Sequence, residues 1–367
     1  MKLALFVHGG LDRTGEERVI PALLWLLERL ARDNEVHAFV REQERAPAEW
    51  PLLGARVHNI GMTAGRRRRL LSSFAQEHRR APFDALHGFF AWGGSWGAAI
   101  GRFHSLRVVF HAAGGEFASL PDIGYGCQTK VSERLKVRFA ASNATVVTVA
   151  THEMQQLAHA CDVSAQVVPL GVALDRWPVR PPTPRVIERP IRLLHVADQR
   201  DVKDQVTLLR AMALLTAAGK DFTLDICGRD TLNGELQRSA DAKAIAHRTR
   251  WHGHLGRARV RGLMEQADLL VVSSRHEAGP LVVLEAAVAG VPTVGTRVGH
   301  IADWSGRGAW AVEPQDATSL ALAVAALMDD EPRRLALARE AQRLATVIDA
   351  DFSARSFQQL YSSVAVS

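Results

Sequence analysis

Short apolar runs alternate with amphipathic segments along the first half of the chain. The run at residues 3–7 predicts a buried strand, and residues 16–31 carry apolar side chains at helical spacing, which predicts a helix. Further strand-like runs lie at residues 35–40, 55–60, 85–87, 106–111 and 145–149. Because these runs are continuously apolar, they predict a parallel sheet that helices cover on both faces.

The alternation restarts after a proline-rich stretch at residues 178–184, whose prolines disfavour both helix and sheet. Predicted strands follow at residues 191–196, 222–227, 269–273 and 293–295, and predicted helices at 202–218, 257–266 and 281–289, with a late helical stretch from Leu320. We therefore predict an α/β protein with two doubly wound domains, whose ligands bind at the carboxyl ends of the strands. The predicted boundaries are a first domain at 1–178, a linker at 179–189, a second domain at 190–349, and a C-terminal helix at 350–367 that returns to the first domain.

The composition is that of a globular protein and indicates where in the cell it works. Of the 367 residues, 47% are hydrophobic and 23% charged, and no apolar run approaches the length of a membrane span. The N-terminus has only five apolar residues after Met1-Lys2, which is too short for a secretory signal. Three cysteines without a Cys-x-x-Cys spacing are typical of a reduced protein, so we expect a cytoplasmic location.

The formal net charge of +6 is concentrated in a run of arginines at Arg66, Arg67, Arg68 and Arg69, followed by Arg79-Arg80. Such a run suggests an anionic partner, namely a lipid surface, a phosphorylated acceptor or nucleic acid, or else a solvated helix face. The segment between them contains Leu70, Leu71, Phe74 and Ala75 at helical spacing. That stripe would suit either an interfacial helix on a membrane or a helix packed on the sheet.

The most informative motif spans residues 274–286 and places Glu277 and Glu285 eight positions apart across a Gly-Pro turn. Gly279 allows a ligand to approach the backbone, and Pro280 suits the first position of a helix. Free N–H groups at that helix start favour a bound phosphate or diphosphate. Glu285 could then accept two hydrogen bonds from a ribose diol, and Glu277 could hold a sugar hydroxyl. The alternative is two surface carboxylates in an ordinary βα loop.

The surrounding sequence makes this motif specific. A glutamate, seven residues, Glu-Ala, and then Gly-Val-Pro at 290–292 resembles the donor-site signature of glycosyltransferase family 4, a group of retaining enzymes with the GT-B fold. The resemblance implies two Rossmann-like domains that face a central cleft. It implies a catalytic role for Glu277 and donor contacts from Glu285, Gly279, Pro280 and Leu281.

The resemblance extends to the loop after the first strand of the second half, with one departure. The family usually carries an arginine and, five residues later, a lysine that both touch the donor diphosphate; here Lys203 matches the lysine, but Asp198 stands at the arginine position. Because a carboxylate repels a diphosphate, Lys203 would carry more of the phosphate charge, with Arg200 or Arg275 as helpers. Related members with a Lys-Asp pair in this loop also lack the arginine, so we interpret the departure as a subgroup trait.

Looser matches complete the expected site. The glycine loop after the first strand ends at Gly15, at the start of a predicted helix, and resembles the family's loop beside the donor phosphates and the acceptor. Gly228 follows a predicted core strand. His87 and His111 end predicted strands at the edge that faces the cleft, where the family often has a histidine near the transferred sugar; a structural role is the alternative for each.

The resemblance implies transfer with retention and without a protein nucleophile, in which the leaving diphosphate takes the acceptor proton and the protein stabilises developing charge. No His/Asp cluster at metal-ligand spacing stands in the sequence, so we expect no metal and no cofactor. Bacterial members mostly build surface polysaccharides, lipopolysaccharide or glycolipids. The expected partners are therefore a nucleotide-sugar donor, a saccharide or lipid-linked acceptor and an anionic membrane surface, and not nucleic acid.

Two other functions stay open, and one is disfavoured. A nucleotide-sugar epimerase or hydrolase of the same fold would need further acid/base groups that we do not find. A non-catalytic sugar-nucleotide-binding subunit is favoured only by Asp198. A nicotinamide dehydrogenase is disfavoured because no Gly-x-Gly-x-x-Gly follows the first strand of either half.

Overall fold

The computed structural model describes residues 1–185 and 189–365, and the chain divides into two compact units. Unit 1 comprises Met1–Ala173 and the chain from Ile348 onward, and unit 2 comprises Leu174–Val347. Residues 186–188 of the predicted linker and residues 366–367 of the predicted C-terminal helix lie outside the described residues. No helix in the described ranges is both long and apolar enough to span a bilayer.

Unit 1 is built on a sheet that is parallel except at one edge. Its strands are β1 (Lys2–Val7), β2 (Glu35–Val40), β3 (Ala48–Leu52), β4 (Ala55–Asn59), β5 (Ala85–Phe89), β6 (Arg107–Ala112), β7 (Val146–Val149) and β8 (Gln166–Val167). They lie in the order β3-β4-β2-β1-β5-β6-β7-β8, and only β3 and β4 pair antiparallel. The first helices are α1 (Pro21–Leu30), α2 (Arg66–Arg80), α3 (Phe90–His104), α4 (Val131–Asn143) and α5 (His152–His159).

Unit 2 is built on an entirely parallel sheet. Its strands are β9 (Ile191–Val196), β10 (Phe222–Cys227), β11 (Thr249–Gly253), β12 (Leu269–Val272), β13 (Thr293–Thr296) and β14 (Ala309–Val312). Its helices are α6 (Gln205–Ala217), α7 (Glu235–Ala242), α8 (Arg257–Met264), α9 (Leu281–Val288), α10 (Gly299–Asp303), α11 (Ala317–Asp329) and α12 (Glu331–Val347). The strand order β11-β10-β9-β12-β13-β14 reverses direction beside β9, which is where parallel sheets of this kind bind ligands.

The chain returns to unit 1 through α13 (Ala350–Ala365), which packs against α1. Ser353 fixes the return, because its hydroxyl donates to the Pro169 carbonyl (2.8 Å) and accepts from the Gly171 amide (2.9 Å). Phe357 and Tyr361 of α13 lie fully in the core of unit 1. The helix therefore completes the first unit's core.

The proline-rich stretch belongs to unit 2 and is not a free tether over its described part. The Arg180 amide donates to the Val288 carbonyl (3.0 Å), and Gln342 donates to the Arg180 carbonyl (2.6 Å). Gly290, at φ +77°, leaves room for Pro182, whose nitrogen would lie 2.8 Å from a Cβ built there. Proline lacks an N–H, but its neighbours still offer carbonyls and donors that bind this segment to the unit. Unit 1 accordingly ends at Ala173, before the predicted boundary at 178.

Candidate functional site

Loops at the carboxyl edge of the unit 2 sheet carry most of the predicted donor-site residues. The loop after β9 contains Asp198 and Arg200 and reaches Lys203 in a single 3-10 turn at Asp201–Lys203. The loop after β12 contains Glu277 and leads into α9. Because β9 and β12 are hydrogen-bonded neighbours, both loops leave the sheet side by side.

Lys203 and Glu277 form an ion pair across these two loops. Lys203 Nζ donates to Glu277 Oε1 (2.6 Å), and the Ser274 hydroxyl donates to the same oxygen (2.6 Å). Burial opposes ionisation of Glu277, but the charge and hydrogen bond of Lys203, together with the Ser274 hydrogen bond and the charge of His276, hold the pKa of the carboxyl below its usual value. The site therefore contains a cation and an ionised acceptor, 24% and 14% exposed, within reach of an entering ligand.

Glu285 is a buried carboxylate inside α9. Its residue is only 7% exposed, and among the described residues its side chain has no hydrogen-bond partner. Burial raises the pKa of Glu285 to about 7, although the charge of Arg257 partly opposes the rise. A buried carboxylate without a partner is costly, so this group is suited to accept hydrogen bonds from a ligand.

The turn between the two glutamates is tightly packed. Pro280 is the N-cap of α9 and not its first helical residue, which the sequence analysis expected it to be; Leu281 begins the helix. A Cβ built on Gly299, at φ +51°, would lie 2.5 Å from Pro280 Cδ and 3.2 Å from the Glu277 carbonyl oxygen. The loop after β13 therefore rests directly on this turn, which includes Gly279, and needs glycine to do so.

Asp198 is neutralised by Arg229. The Arg229 amide donates to Asp198 Oδ1 (2.8 Å), and its guanidinium donates to Oδ2 through Nε (3.1 Å) and Nη2 (2.7 Å). Burial raises the pKa of Asp198, but these hydrogen bonds and the charge of Arg229 bring it below its usual value. The cation that pairs with Asp198 is therefore Arg229, which the sequence analysis did not identify. Arg200 does not pair with it, and its side chain is exposed.

Gly228 places Arg229 where it can reach Asp198. Its φ is +146°, and a Cβ built there would lie 1.9 Å from the Ala197 carbonyl oxygen. Its amide donates to the Gly253 carbonyl (2.8 Å). The loops after β9 and β10 therefore touch through their backbones at this glycine, which gives it a packing role at the site's edge. A Gly-Arg pair directly after a strand was the signal in the sequence that could have identified Arg229.

His195, near the end of β9, is a further residue that the sequence analysis did not select. It is 1% exposed, and its Nδ1 donates to the Val271 carbonyl (2.9 Å). Burial lowers the pKa of His195 to about 4, and the charges of Lys203 and Glu277 act on it in opposite directions. The ring is therefore neutral at physiological pH, and it supports the strand from which the Lys203 loop departs.

In unit 1, Gly15 does not begin a helix. The helix predicted over 16–31 starts only at Pro21, and Gly15, at φ +67°, lies inside a longer loop. Gln43 holds that loop, because its Oε1 accepts from the amides of Gly10 (2.7 Å) and Leu11 (3.0 Å). The apolar spacing begins earlier than the helix because Val19 pairs as an isolated bridge with Gly10.

His87 and His111 lie in the interior of unit 1 and not at an open edge. They are 1% and 0% exposed, and both rings contact Phe357 of α13. His87 Nδ1 shares a hydrogen bond with the Tyr361 hydroxyl (2.5 Å), and burial, followed by the charge of His111, keeps the pKa of His87 far below its usual value. Burial lowers the pKa of His111 to about 3, so both rings are neutral at pH 7. Helix α13 thus covers both rings, and Nε2 of His87 and of His111 has no hydrogen-bond partner in the described part of the chain. A place for either histidine near the transferred sugar stays a prediction.

The arginines of the run lie on α2 and make different contacts. Leu70 and Phe74 are buried in the core beneath the sheet, so these two residues of the apolar stripe pack on the protein, whereas Leu71 is 47% exposed. Arg69 donates to the carbonyls of Ile60 (3.0 Å) and Ala64 (2.7 Å) and thereby fixes the loop before the helix. The alternative of a helix packed on the sheet is thus the correct one.

Arg66 and Arg67 line a cavity of about 890 Å³ in unit 1. Its apolar wall includes Ile20, Ile60, Leu70, Phe90, Trp92 and Trp96, and its charged groups are Arg41, Arg66, Arg67, Lys136, Glu116 and Glu133. Arg41 (2.6 Å) and Arg66 (3.6 Å) are paired with Glu42, and Lys136 (2.6 Å) with Glu133. Arg67 therefore supplies the positive charge that has no ion pair among the described residues. The cavity combines aromatic faces with this charge and suits an anionic ligand that carries an apolar or saccharide part.

Glu116 organises one end of this cavity. It is 3% exposed, and it accepts from the Ala91 amide (3.0 Å) and the Gly114 amide (2.7 Å). Burial raises the pKa of Glu116 although these amides oppose the rise. Phe90, the first residue of α3, adopts the left-handed φ of +60°, a strained conformation that the capped helix start sustains.

A group of potential metal ligands lies elsewhere in unit 1, where sequence spacing did not reveal it. The ligand atoms of His37, His58 and Glu77 lie within 4.8 Å of one another. His37 Nδ1 and His58 Nε2 are 2.9 Å apart, and their other ring nitrogens contact Glu35 (2.8 Å) and Glu49 (2.8 Å). Two nitrogens on one tetrahedral zinc would stand about 3.3 Å apart, so this geometry is that of a hydrogen-bonded chain.

Each of the two units matches a known family of protein domains. Residues 14–171 match the model of the glycosyl transferase 4-like domain, and residues 182–344 match that of the glycosyl transferases group 1. Glycogen synthase of Mycobacterium tuberculosis is 31% identical over 198 residues, which are 53% of this chain and 47% of that protein. The chain thus spans about half the length of the curated relatives it matches.

Solved structures of the same architecture extend over the whole chain. Sucrose-phosphate synthase from Thermosynechococcus elongatus superposes with a TM-score of 0.84 at 16% identity over 99% of both chains. HepE from Anabaena, in complex with UDP-glucose, superposes with a TM-score of 0.74 at 17% identity over 98% of this chain and 99% of that one. The fold predicted from the resemblance is therefore confirmed. The chain belongs to glycosyltransferase family 4, the glycosyl transferases of group 1, and has their GT-B fold.

Proposed function

We propose that this protein transfers a sugar, with retention of configuration, from a nucleotide diphosphate sugar to a saccharide or lipid-linked acceptor. The observation that carries the proposal is Glu285, a buried carboxylate without a partner among the described residues, on the helix that follows Glu277. A ribose diol offers the two hydroxyl donors that such a group lacks. The UDP-glucose complex of HepE supports a nucleotide-sugar donor for this fold.

On the donor side, Lys203 is the cation for the diphosphate. Its present partner is Glu277 (2.6 Å), so an entering diphosphate would compete for Lys203 and release Glu277 to accept a sugar hydroxyl. The start of α9 adds amide donors and the positive end of a helix dipole. Because Arg229 already neutralises Asp198, this carboxylate does not argue for a non-catalytic subunit.

Catalysis is proposed to be electrostatic and independent of metal. Negative charge grows on the leaving diphosphate, where Lys203 and the amides of the Gly279–Leu281 turn would stabilise it. The diphosphate would then take the acceptor proton on the same face of the sugar, which gives retention without a protein nucleophile. Glu277 would position the sugar through its hydroxyl.

On the acceptor side, the cavity of unit 1 favours an acceptor with a phosphate or carboxylate near Arg66, Arg67 and Arg41. We propose that the protein acts in the cytoplasm, at the inner face of a membrane, on a precursor of surface polysaccharide or glycolipid. Arg68 and Arg79 of α2 are exposed and would add electrostatic attraction to anionic lipid.

A panel of nucleotide sugars, assayed with and without candidate acceptors, tests this function. Nucleotide release that depends on the acceptor, unchanged by a chelator, and an anomeric configuration equal to that of the donor are expected. Epimer formation or hydrolysis without acceptor would instead identify the epimerase or hydrolase alternative. Binding without any turnover would identify a sugar-nucleotide-binding subunit.

A further inference from the structure

Helix α4 has apolar side chains on two faces, and only one of them is covered. Val137 and Ala140 are buried against unit 1. Val131, Leu135 and Phe139 are 62%, 58% and 41% exposed. Residues four positions apart lie on one face of a helix, so these three form a continuous apolar stripe that faces solvent.

A fourth exposed apolar side chain lies on the neighbouring helix α3. Phe103, in the last turn of α3, is 84% exposed. Its neighbour Arg102 donates to the Asn143 side chain at the end of α4 (3.3 Å), which joins the last turns of the two helices. Exposed apolar side chains grouped in this way mark an interaction surface more often than an accident of packing.

Basic residues flank the stripe. Lys130, Arg134 and Arg138 are exposed, and across the described ranges of the chain their side chains have no charged partner. The acid on this helix, Glu133, is already paired with Lys136 (2.6 Å). The surface therefore has an apolar centre and a positively charged margin, and its ligand must have an apolar part beside negative charge.

A bilayer with anionic lipid meets both requirements, whereas a second copy of the chain does not. A two-fold interface through the stripe would bring Arg134 and Arg138 against the same residues of the other copy, and like charges repel there. An interfacial helix lies in the membrane plane with its apolar side chains among the acyl chains and its cations at the headgroups. The 13 residues of α4 extend for about 20 Å, long enough for such a contact.

We propose that α4, together with Phe103, is a membrane-docking surface for bilayers that contain anionic lipid. The proposal rests on the proposed function in one respect: docking would give the enzyme access to a lipid-linked acceptor. Glu133 and Lys136 on the inner side of the same helix line the 890 Å³ cavity. Docking through the outer side therefore brings that cavity within about 10 Å, one helix diameter, of the headgroups.

Co-sedimentation of the full chain with phosphatidylcholine vesicles, with and without phosphatidylglycerol, tests the surface. Binding should require phosphatidylglycerol and decrease as salt rises. The double substitution Leu135→Glu/Phe139→Glu should lower the partition coefficient at least about tenfold, since it removes the inserted side chains. Arg134→Gln and Arg138→Gln should each lower it about fivefold. Leu322→Glu on α11, at a site 66% exposed, is the matched control and should leave it unchanged.

Other results would overturn the proposal. One is that the wild type does not sediment with any vesicle. The other is that Arg68→Gln/Arg79→Gln on α2 abolishes vesicle binding while the α4 variants still bind. A dimer in light scattering that Leu135→Glu/Phe139→Glu abolishes would assign the stripe to a second copy. The α4 variants should bind nucleoside diphosphate normally. A wild type that binds vesicles but no nucleotide would contradict the proposed function and leave the docking surface intact.

Discussion

The donor-side loops of unit 2 and the cavity of unit 1 differ in the charged group that is left without a partner for a ligand. In unit 2 the cations are already paired, Lys203 with Glu277 and Arg229 with Asp198, while Glu285 is the buried acceptor without a partner among the residues that the structure describes. In unit 1 three of the four cations that line the cavity are also paired, Arg41 and Arg66 with Glu42 and Lys136 with Glu133. Arg67 has no ion pair among the described residues, and Glu116 is occupied by backbone amides. The first site is therefore arranged for a ligand that brings hydroxyl donors and displaces an ion pair, and the second for a ligand that brings negative charge.

Removing Lys203 should have the largest effect on the donor side. Lys203→Ala removes the cation proposed for the diphosphate, so turnover should fall about 10²- to 10³-fold, as when a charge-stabilising donor is lost. Donor affinity should fall as well, because the charge also acts on the ground state. Steady-state kinetics and calorimetric titration with the nucleoside diphosphate measure the two effects.

Arg200→Ala is the matched control for Lys203, since it removes a cation from the same loop that is exposed and unpaired within the described residues. Its effect should be much smaller. A folded Lys203→Ala protein with wild-type turnover would refute the role of the lysine in the diphosphate site.

Glu285→Ala should weaken binding of the free nucleoside diphosphate by about 1.5–3 kcal/mol, because a charged acceptor of two hydroxyl hydrogen bonds is lost. Glu277→Ala should behave differently and reduce turnover more than nucleotide affinity, since Glu277 is assigned to the sugar. Equal affinities of the wild type and of folded Glu285→Ala for the nucleoside diphosphate would refute the assignment of Glu285 to the ribose. The comparison of the two glutamates separates the nucleotide part of the site from the sugar part.

Glu285 also predicts a pH dependence. Its pKa is raised from 4.5 to about 7, so the unfolded chain ionises this group before the folded protein does. The free protein should therefore lose stability as pH rises from about 4.5 to about 7, by up to about 3 kcal/mol from this group. A ribose that donates to the carboxylate binds the ionised form, so nucleotide affinity should rise over the same range and then level off.

The matched variant Glu285→Gln lacks this titration while keeping the shape of the side chain. Thermal unfolding and nucleotide titration from pH 5 to pH 8 should show a smaller slope in the variant than in the wild type. Parallel pH profiles in both proteins would mean that the phosphate of the ligand, and not Glu285, sets the dependence.

The sequence predicts the architecture of both units because their central strands, such as β1 and β12, are apolar along almost their whole length. The strands at residues 35–40, 191–196 and 222–227 have the predicted bounds. The edge strand β3 was missed because Pro51 interrupts its short pattern, and proline is tolerated in a sheet mainly at such an edge. Lys203 and Glu277 meet because the loops that follow neighbouring parallel strands leave the same edge of the sheet.

Contacts made across long stretches of chain were not predictable in the same way. Asp198 and Arg229 are 31 positions apart, so only the folded loops show that one neutralises the other. His87 ends a predicted strand, yet a strand pattern does not say that α13 will return over that face, with Tyr361 as the partner of the histidine. The same limit applies to the cavity of unit 1, whose lining comes from separate loops and helices.

The smallest predicted effect tests the Asp198–Arg229 pair. Arg229 is 62% exposed, so the pair itself should contribute less than about 1 kcal/mol to stability. Its consequence should instead appear in donor binding: Arg229→Ala uncovers the Asp198 carboxylate beside the proposed diphosphate position and should weaken affinity a few-fold. Asp198→Ala alone should leave affinity equal or slightly better, and the double variant should regain what Arg229→Ala loses. Nucleotide titration of the four proteins as a double-mutant cycle gives the coupling, expected at about 0.5–1 kcal/mol. If Asp198→Ala weakens binding as much as Arg229→Ala does, the carboxylate itself contacts the donor, and its pairing with Arg229 is not the reason that the family's arginine can be absent here.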